Sequence, residues 1–239
     1  MNIGLIFAGG TGQRMNTKTL PKQFLELHGK PIIIYTIEIF ENHQNIDEIV
    51  VVCVEEWIEY LKRLLDKFHI KKVKAIVPGG STGQLSIRNG IYKINDLYPN
   101  NSIVLIHDGV RPLISERLIN NLLDTVKEKG NAITVSPAIE TIIEKDESGT
   151  SVKRILNRNI CQMARAPQCF YLKDIYKAHK NADKKGKYDY IDSACLMIDN
   201  GYDLYTVEGC PENIKITTPS DFYIFRAIID AKENSQIFG

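Results

Sequence analysis

The stretch 3-IGLIFAGGTGQRMNTKTLPKQ-23 decides how this chain of 239 residues is read. Ile3 to Ala8 is an apolar run that suits a buried parallel strand. It empties into Gly9, Gly10, Thr11 and Gly12, whose small side chains let backbone N–H groups approach a ligand closely. Arg14 and Lys22 follow within one loop's reach. Amides that fix oxygen positions, with cations that neutralise charge, suit a polyphosphate. Two better-known glycine loops do not fit. A P-loop needs its second glycine five residues after the first, and here Arg14 and Met15 follow Gly9 and Gly10 at that interval. A dinucleotide fingerprint needs a third glycine where Met15 stands after Gly10 and Gly12. The plain alternative is a glycine turn with two solvated charges.

Composition narrows the classes. Thirty Lys and Arg stand against 29 Asp and Glu, so no charge excess calls for nucleic acid or an anionic membrane as partner. Five cysteines (53, 161, 169, 195 and 210) are odd in number and lack a C-x-x-C pair, which reads as reduced thiols. No apolar run approaches the ~20 residues of a membrane span, and the N-terminus enters a strand without a basic leader. A cytoplasmic protein of one domain, 1–239, is expected.

Outward from the glycine loop, the spacing predicts a helix over Pro31 to His43, a β-branched strand over Ile46 to Val54, and a helix over Glu55 to His69. A strand over Val73 to Val77 opens at Pro78, Gly79 and Gly80; a helix over Leu85 to Asp96 and a strand over Ser102 to His107 follow, the latter ending at Asp108 and Gly109. Ser115 caps a helix to about Lys129, and Asn131 to Ser136 is the next strand. Alternating strands and helices argue a three-layer α/β fold with a mostly parallel sheet, in which ligands bind outside the carboxyl ends of strands. The glycine loop, Gly79–Gly80 and Asp108 all fall at such ends.

From 139 to 159 the pattern changes to two strands about a turn at Glu147, Ser148 and Gly149. A lone hairpin is marginal in water, so this arm is expected to lean on a second subunit. The chain then returns through Ala166, Pro167 and Gln168 to a helix over Leu172 to Asp183, a basic linker at 184–187, and a helix over Ile191 to Ile198. A strand around Leu204 to Val207, a β-rich ENIKIT segment at 212–217 and a closing helix over Pro219 to Glu233 complete the reading.

AGGTGQRM, LPKQF, HDGVRP, APQ at 166–168 and ENIKIT, in this order and at these intervals, resemble the cytidylyltransferases that join CTP to a polyol phosphate. The resemblance runs from Leu5 to about Arg226 and implies a Rossmann-like nucleotidyltransferase fold whose protruding β-arm crosses to a partner in a homodimer. Two branches share the motifs: one acts on 2-C-methyl-D-erythritol 4-phosphate for isoprenoids, the other on ribitol 5-phosphate for wall and capsule polymers such as teichoic acid. AGGTGxRM and HDxVRP are closer to the ribitol branch, whose product is CDP-ribitol. A catalytically silent nucleotide-binding subunit is the alternative of another class; the joint presence of Arg14, Lys22, Asp108, Arg158 and Lys215 speaks against it.

The resemblance also implies residue roles. Arg14, Lys22 and Lys215 grip the triphosphate and the reacting phosphorus. Ala8, Gly9, Gly10, Thr11, Gly12, Gly79, Gly80, Ser81, Ser86 and Asp108 hold the nucleotide, and Asp108 is the expected ligand for Mg²⁺. Gly109, Arg111, Thr141, Arg158 and Asp192 meet the acceptor, Thr141 and Arg158 from across the dimer. On the residues alone, Asp108 also suits a turn cap, Lys215 an exposed strand charge and Arg158 a solvated arm residue. Two departures from the family pattern stand out. In GGSTGQLS the family's arginine position holds Gly83, and IDSA keeps Asp192 but lacks the neighbouring glutamate.

Overall fold

The computed structural model describes residues 1–9 and 20–238. Gly10, Thr11, Gly12 and Arg14 lie outside the described residues. In chain order the elements are β1 (Asn2–Ala8), β2 (Glu26–Leu27), β3 (Lys30–Pro31), α1 (Ile32–Asn42), β4 (Glu48–Cys53), α2 (Ile58–Lys67) and β5 (Val73–Pro78). They continue with α3 (Gly83–Leu97), β6 (Ile103–Asp108), α4 (Glu116–Lys129), β7 (Asn131–Pro137), β8 (Ile143–Lys145), β9 (Val152–Ile155) and β10 (Gln162–Tyr171). Last come α5 (Leu172–Lys185), α6 (Ser193–Asp199), β11 (Thr206–Glu208) and α7 (Pro219–Phe238).

Seven strands form one sheet in the order β11-β7-β10-β6-β1-β4-β5. All neighbours pair in parallel except β10, which runs antiparallel to both β6 and β7. Alternate residues of each strand feed opposite layers. Ile6, Val51 and Leu105 face α1, α2 and α4, whereas Leu5, Val50, Val52 and Ile106 face α3, α5 and α6. A smaller cluster joins Leu27, Ile32, Val110, Leu113, Ile216 and Phe225, so that α7 closes over the end of the sheet near β6. This is the expected three-layer α/β fold with a mostly parallel sheet.

Helix ends follow local chemistry. Thr82 and Ser115 cap α3 and α4 by accepting from Leu85 N (3.1 Å) and Leu118 N (3.2 Å). Gly130 ends α4 at φ +94°, a conformation that strongly favours glycine. The last turn of α5 takes up Lys184 and Lys185, so half of the basic linker is helix.

Three expectations change. The segment through Ala166, Pro167 and Gln168 is a ten-residue strand in the sheet, with a register shift between Ala164 and Gln168 that accommodates proline. ENIKIT is an irregular segment, tied down by Ile216 N donating to Val110 O at 2.9 Å. The arm's pairing is short, limited to Ile143–Ile155, Glu144–Arg154 and Lys145–Val152. All four residues of β9 are exposed.

Candidate active site

Strand order reverses between β1 and β6, and the crevice at their carboxyl ends is where such sheets bind ligands. On the β1 side the backbone is packed too closely for side chains. A Cβ on Gly9 would lie 2.8 Å from Ser86 Oγ, and one on Gly79 would lie 3.2 Å from Gly9 Cα. The Ser86 hydroxyl holds the second loop: it accepts from Gly80 N at 3.0 Å and donates to Thr82 O at 2.9 Å. Ser81 is exposed beside it. Ala8 O accepts from buried Gln23 Nε2 at 2.8 Å, which ties the end of β1 to the 3₁₀ turn that begins at Lys22. Gly9, Gly79, Gly80, Ser81 and Ser86 therefore stand together, and Lys22 is anchored by its neighbour.

At the end of β6 is the charged centre of the crevice. The Asp108 carboxylate takes Lys215 Nζ at 2.5 Å on one oxygen and Arg111 Nε at 2.8 Å on the other. Its side chain is 8% exposed. Burial alone would raise the Asp108 carboxyl, but Lys215 and Arg111 outweigh it and hold the group below the usual carboxylate range. Beneath it, buried His107 donates from Nε2 to Arg111 O at 3.0 Å, and desolvation pushes its pKa down to about 4. It is a neutral strut. Gly109 N donates to Phe7 O at 3.0 Å, and a Cβ there would sit 3.0 Å from Ala8 Cβ, so this glycine sews β6 to the end of β1.

On the far side of Asp108 a cavity of about 280 Å³ extends over β6 and β10, between α3 and α6. Asp108, Arg111, Lys215, Asp192 and Gly83 line it, together with Arg165 and Gln168. Asp192 caps α6 through Cys195 N at 2.8 Å and accepts from Gln168 Nε2 at 2.9 Å. Among the described residues, nothing lies within 4 Å of where a Cβ on Gly83 would sit.

The residues that sequence reasoning missed are Arg165 and Asn213. Fully buried Asn213 donates from Nδ2 to Ala166 O at 2.7 Å, while its carbonyl accepts from Arg111 Nη1 at 2.8 Å and Arg165 Nη1 at 2.6 Å. It welds the loop carrying Lys215 to both arginines. The APQ and ENIKIT motifs flag this neighbourhood, but only the fold shows that they touch. Thr141 and Arg158 lie on the exposed arm and do not line the cavity of their own chain; Arg158 Nη1 donates to Ile139 O at 3.1 Å.

Magnesium was expected on Asp108, and the donor set there does not suit it. Both oxygens already hold cations, and a resident divalent ion would face an ammonium and a guanidinium at close range. Among the described residues, the group of His, Asp and Glu able to share an ion is His28, Asp230 and Glu233, none of which lines the cavity.

Among the described residues, no helix is long and apolar enough to cross a membrane, and the five cysteines are free. The model of the family described as 2-C-methyl-D-erythritol 4-phosphate cytidylyltransferase (IspD) matches residues 3–231. The ribitol-5-phosphate cytidylyltransferase of Vibrio parahaemolyticus is 55% identical over 239 residues, covering 100% of both chains. The 2-C-methyl-D-erythritol 4-phosphate cytidylyltransferase of Clostridium acetobutylicum is 38% identical over 236 residues, covering 98% of this chain and 99% of that protein. A solved 4-diphosphocytidyl-2C-methyl-D-erythritol synthase from Anaerococcus prevotii superposes with a TM-score of 0.81 at 27% identity, over 96% of each chain. A reversed-order α/β sheet, glycines packed against one another at its carboxyl edge, a buried aspartate shared by lysine and arginine, and full-length likeness in sequence agree: this chain belongs to the IspD family of cytidylyltransferases.

Proposed function

We infer that the protein transfers the cytidylyl group of CTP to D-ribitol 5-phosphate, giving CDP-ribitol and pyrophosphate. The observation that carries this reading is the Lys215–Asp108–Arg111 cluster, placed where a glycine-lined edge meets a cavity that these three residues themselves line. Two phosphate-bearing substrates can then meet over one cation pair. The choice of ribitol rests on full-length relatives bearing that name at 52–55% identity.

In the reaction, an oxygen of the acceptor phosphate forms a bond to the α-phosphorus of CTP. The bond from that phosphorus to the bridging oxygen breaks, and pyrophosphate leaves with the electron pair. A phosphate monoester is largely dianionic at neutral pH, so it needs no base to remove a proton. The work left to the protein is positioning and charge neutralisation. Arg14 and Lys22 take the triphosphate, and Lys215 meets the α-phosphate. Asp108 holds Lys215 and Arg111 apart and aimed. Gly9, Gly79 and Gly80 admit the nucleotide against the backbone.

Magnesium enters, in this reading, bound to the triphosphate rather than waiting on the protein. The exposed arm pairs two copies into a homodimer and carries Thr141 and Arg158 toward the acceptor of the second copy. Such an enzyme would work in the cytoplasm and supply activated ribitol for a wall or capsule polymer. A second acceptor, 2-C-methyl-D-erythritol 4-phosphate, is favoured by the family model that the chain matches. Pyrophosphate release from CTP and Mg²⁺ with each acceptor separates them: release with ribitol 5-phosphate is expected, and release only with methylerythritol phosphate would overturn the assignment.

A further inference from the structure

Arg165 stands out for what surrounds it. It projects from the irregular part of β10, where its Nε donates to Ser136 Oγ at 2.7 Å and its Nη1 to Asn213 O at 2.6 Å. That carbonyl already accepts from Arg111, so two guanidinium groups converge on one oxygen. Asp108 is taken by Arg111 and Lys215, and Asp192 is engaged with Gln168 and the start of α6. Among the described residues no carboxylate lies within ion-pair distance of Arg165, and its Nη2 makes no hydrogen bond. Burial and the neighbouring Arg111 both weaken its hold on its proton. A half-buried cation facing a second cation, without its own counter-ion, is electrostatically costly unless an anion completes it.

The topology says where that anion belongs. Gly9, Gly79 and Gly80 lie at the ends of β1 and β5, on one side of Asp108, whereas Arg165 lies on the other side, over β10. Arg165 also lines the cavity that Lys215 and Arg111 enter. The nucleotide occupies the glycine side, so the second phosphate compound comes from the Arg165 side.

We propose that Arg165 is an acceptor-binding residue of this chain's own site: it and Arg111, fixed by the Asn213 carbonyl, clamp the phosphate monoester of the acceptor beside Lys215. The proposal rests on the polyol-phosphate reading given above. A guanidinium presents paired donors that match phosphate oxygens, so the clamp would orient the attacking oxygen as well as neutralise it. Ser136 and Asn213 pre-set the guanidinium before the acceptor arrives.

The test is steady-state kinetics of Arg165→Gln and Arg165→Lys beside wild type, with each substrate varied in turn. Arg165→Gln is expected to raise the acceptor KM about ten- to a hundredfold, the usual loss for a charge-assisted contact, and to leave the KM for CTP within twofold. Arg165→Lys should recover part of the loss, because it restores the charge without the fork. An acceptor KM unchanged in Arg165→Gln, or both KM values rising together with a fall in thermal midpoint, would overturn the proposal and leave Arg165 a structural residue. If wild type turns over another polyol phosphate and not ribitol 5-phosphate, the acceptor assignment fails and the same comparison is read with the acceptor that works. If none turns over, calorimetric titration with inorganic phosphate decides: weaker binding to Arg165→Gln supports the clamp, and equal or undetectable binding to both proteins overturns it.

Discussion

Replacing Asp108 by alanine would leave the Arg111 guanidinium, with 12% of its side chain exposed, facing Lys215 without the carboxylate between them. Breaking a buried pair by removing one partner costs roughly 3–5 kcal/mol, so a large fall in the urea midpoint is expected for Asp108→Ala. The pH dependence has a definite sign. The folded Asp108 gives up its proton more readily than an unfolded aspartate, whose pKa is about 3.9. Its contribution is therefore complete above the unfolded value and is lost as pH falls through the lower folded value. Asp108→Asn should flatten the stability profile below about pH 4. Histidine acts in a higher window. His179 is 1% exposed, neither ring nitrogen has a hydrogen-bond partner among the described residues, and burial pushes its pKa down to about 4. The unfolded chain binds that proton near pH 6.5, so stability falls from about pH 6.5 towards 4 as the unfolded state gains protons. His179→Leu is expected to remove part of that slope in urea titrations across the window, since no hydrogen bond is lost. For chemistry, Lys22→Ala should lower kcat by at least about a hundredfold, as removal of one transition-state charge contact does. An unchanged kcat would exclude Lys22 from the reaction.

At the scale of elements, the arm is the segment whose sequence fits its surroundings least. Ile139, Ile155 and Ile160 are 75%, 69% and 83% exposed, in and beside a hairpin whose sheet has only its own two strands among the described residues. Light scattering is expected to give a dimer at micromolar concentration, and Ile155→Asp with Ile160→Asp to give a monomer; a wild-type monomer would refute the arm as an interface. The helices α1 to α5 and the parallel strands were legible because period and composition agree within each: β-branched runs for strands and an apolar stripe for helices, with a Ser115 cap to mark the start of α4. Strand β10 was not. Pro167 cannot donate to a ladder, and the register shift between Ala164 and Gln168 breaks the alternation by which a strand declares itself. Its place in the sheet is set by β6 and β7 on either side. ENIKIT misled in the opposite direction, since its β-branched residues serve burial of Ile216 and the hold on Asn213 rather than pairing.

For the whole molecule, the glycine edge and Asp108 could be read in advance because small residues and charges at strand ends are local signals. Arg165 and Asn213 could not, because their meaning comes from segments 48 positions apart that meet only in the fold. The same global view bears on the metal. Titrating the protein with Mg²⁺ in the absence of nucleotide should give no saturable heat, because Asp108 is already satisfied by Lys215 and Arg111. Saturable binding lost in Asp108→Asn would return the metal to the carboxylate. A last consequence follows from the reversal of strand order between β1 and β6. The residues up to Asp108 furnish the glycine edge and, through Phe7, Gly83, Gln84 and Asp108, one wall of the cavity, whereas Arg111, Arg165, Asp192 and Lys215, later in the chain, furnish the other. The arginines and the lysine of the cavity thus all come after the glycine edge in the chain. Chimaeras joined near the end of β6 would therefore exchange the cavity's cations between relatives while keeping the glycine edge of one parent.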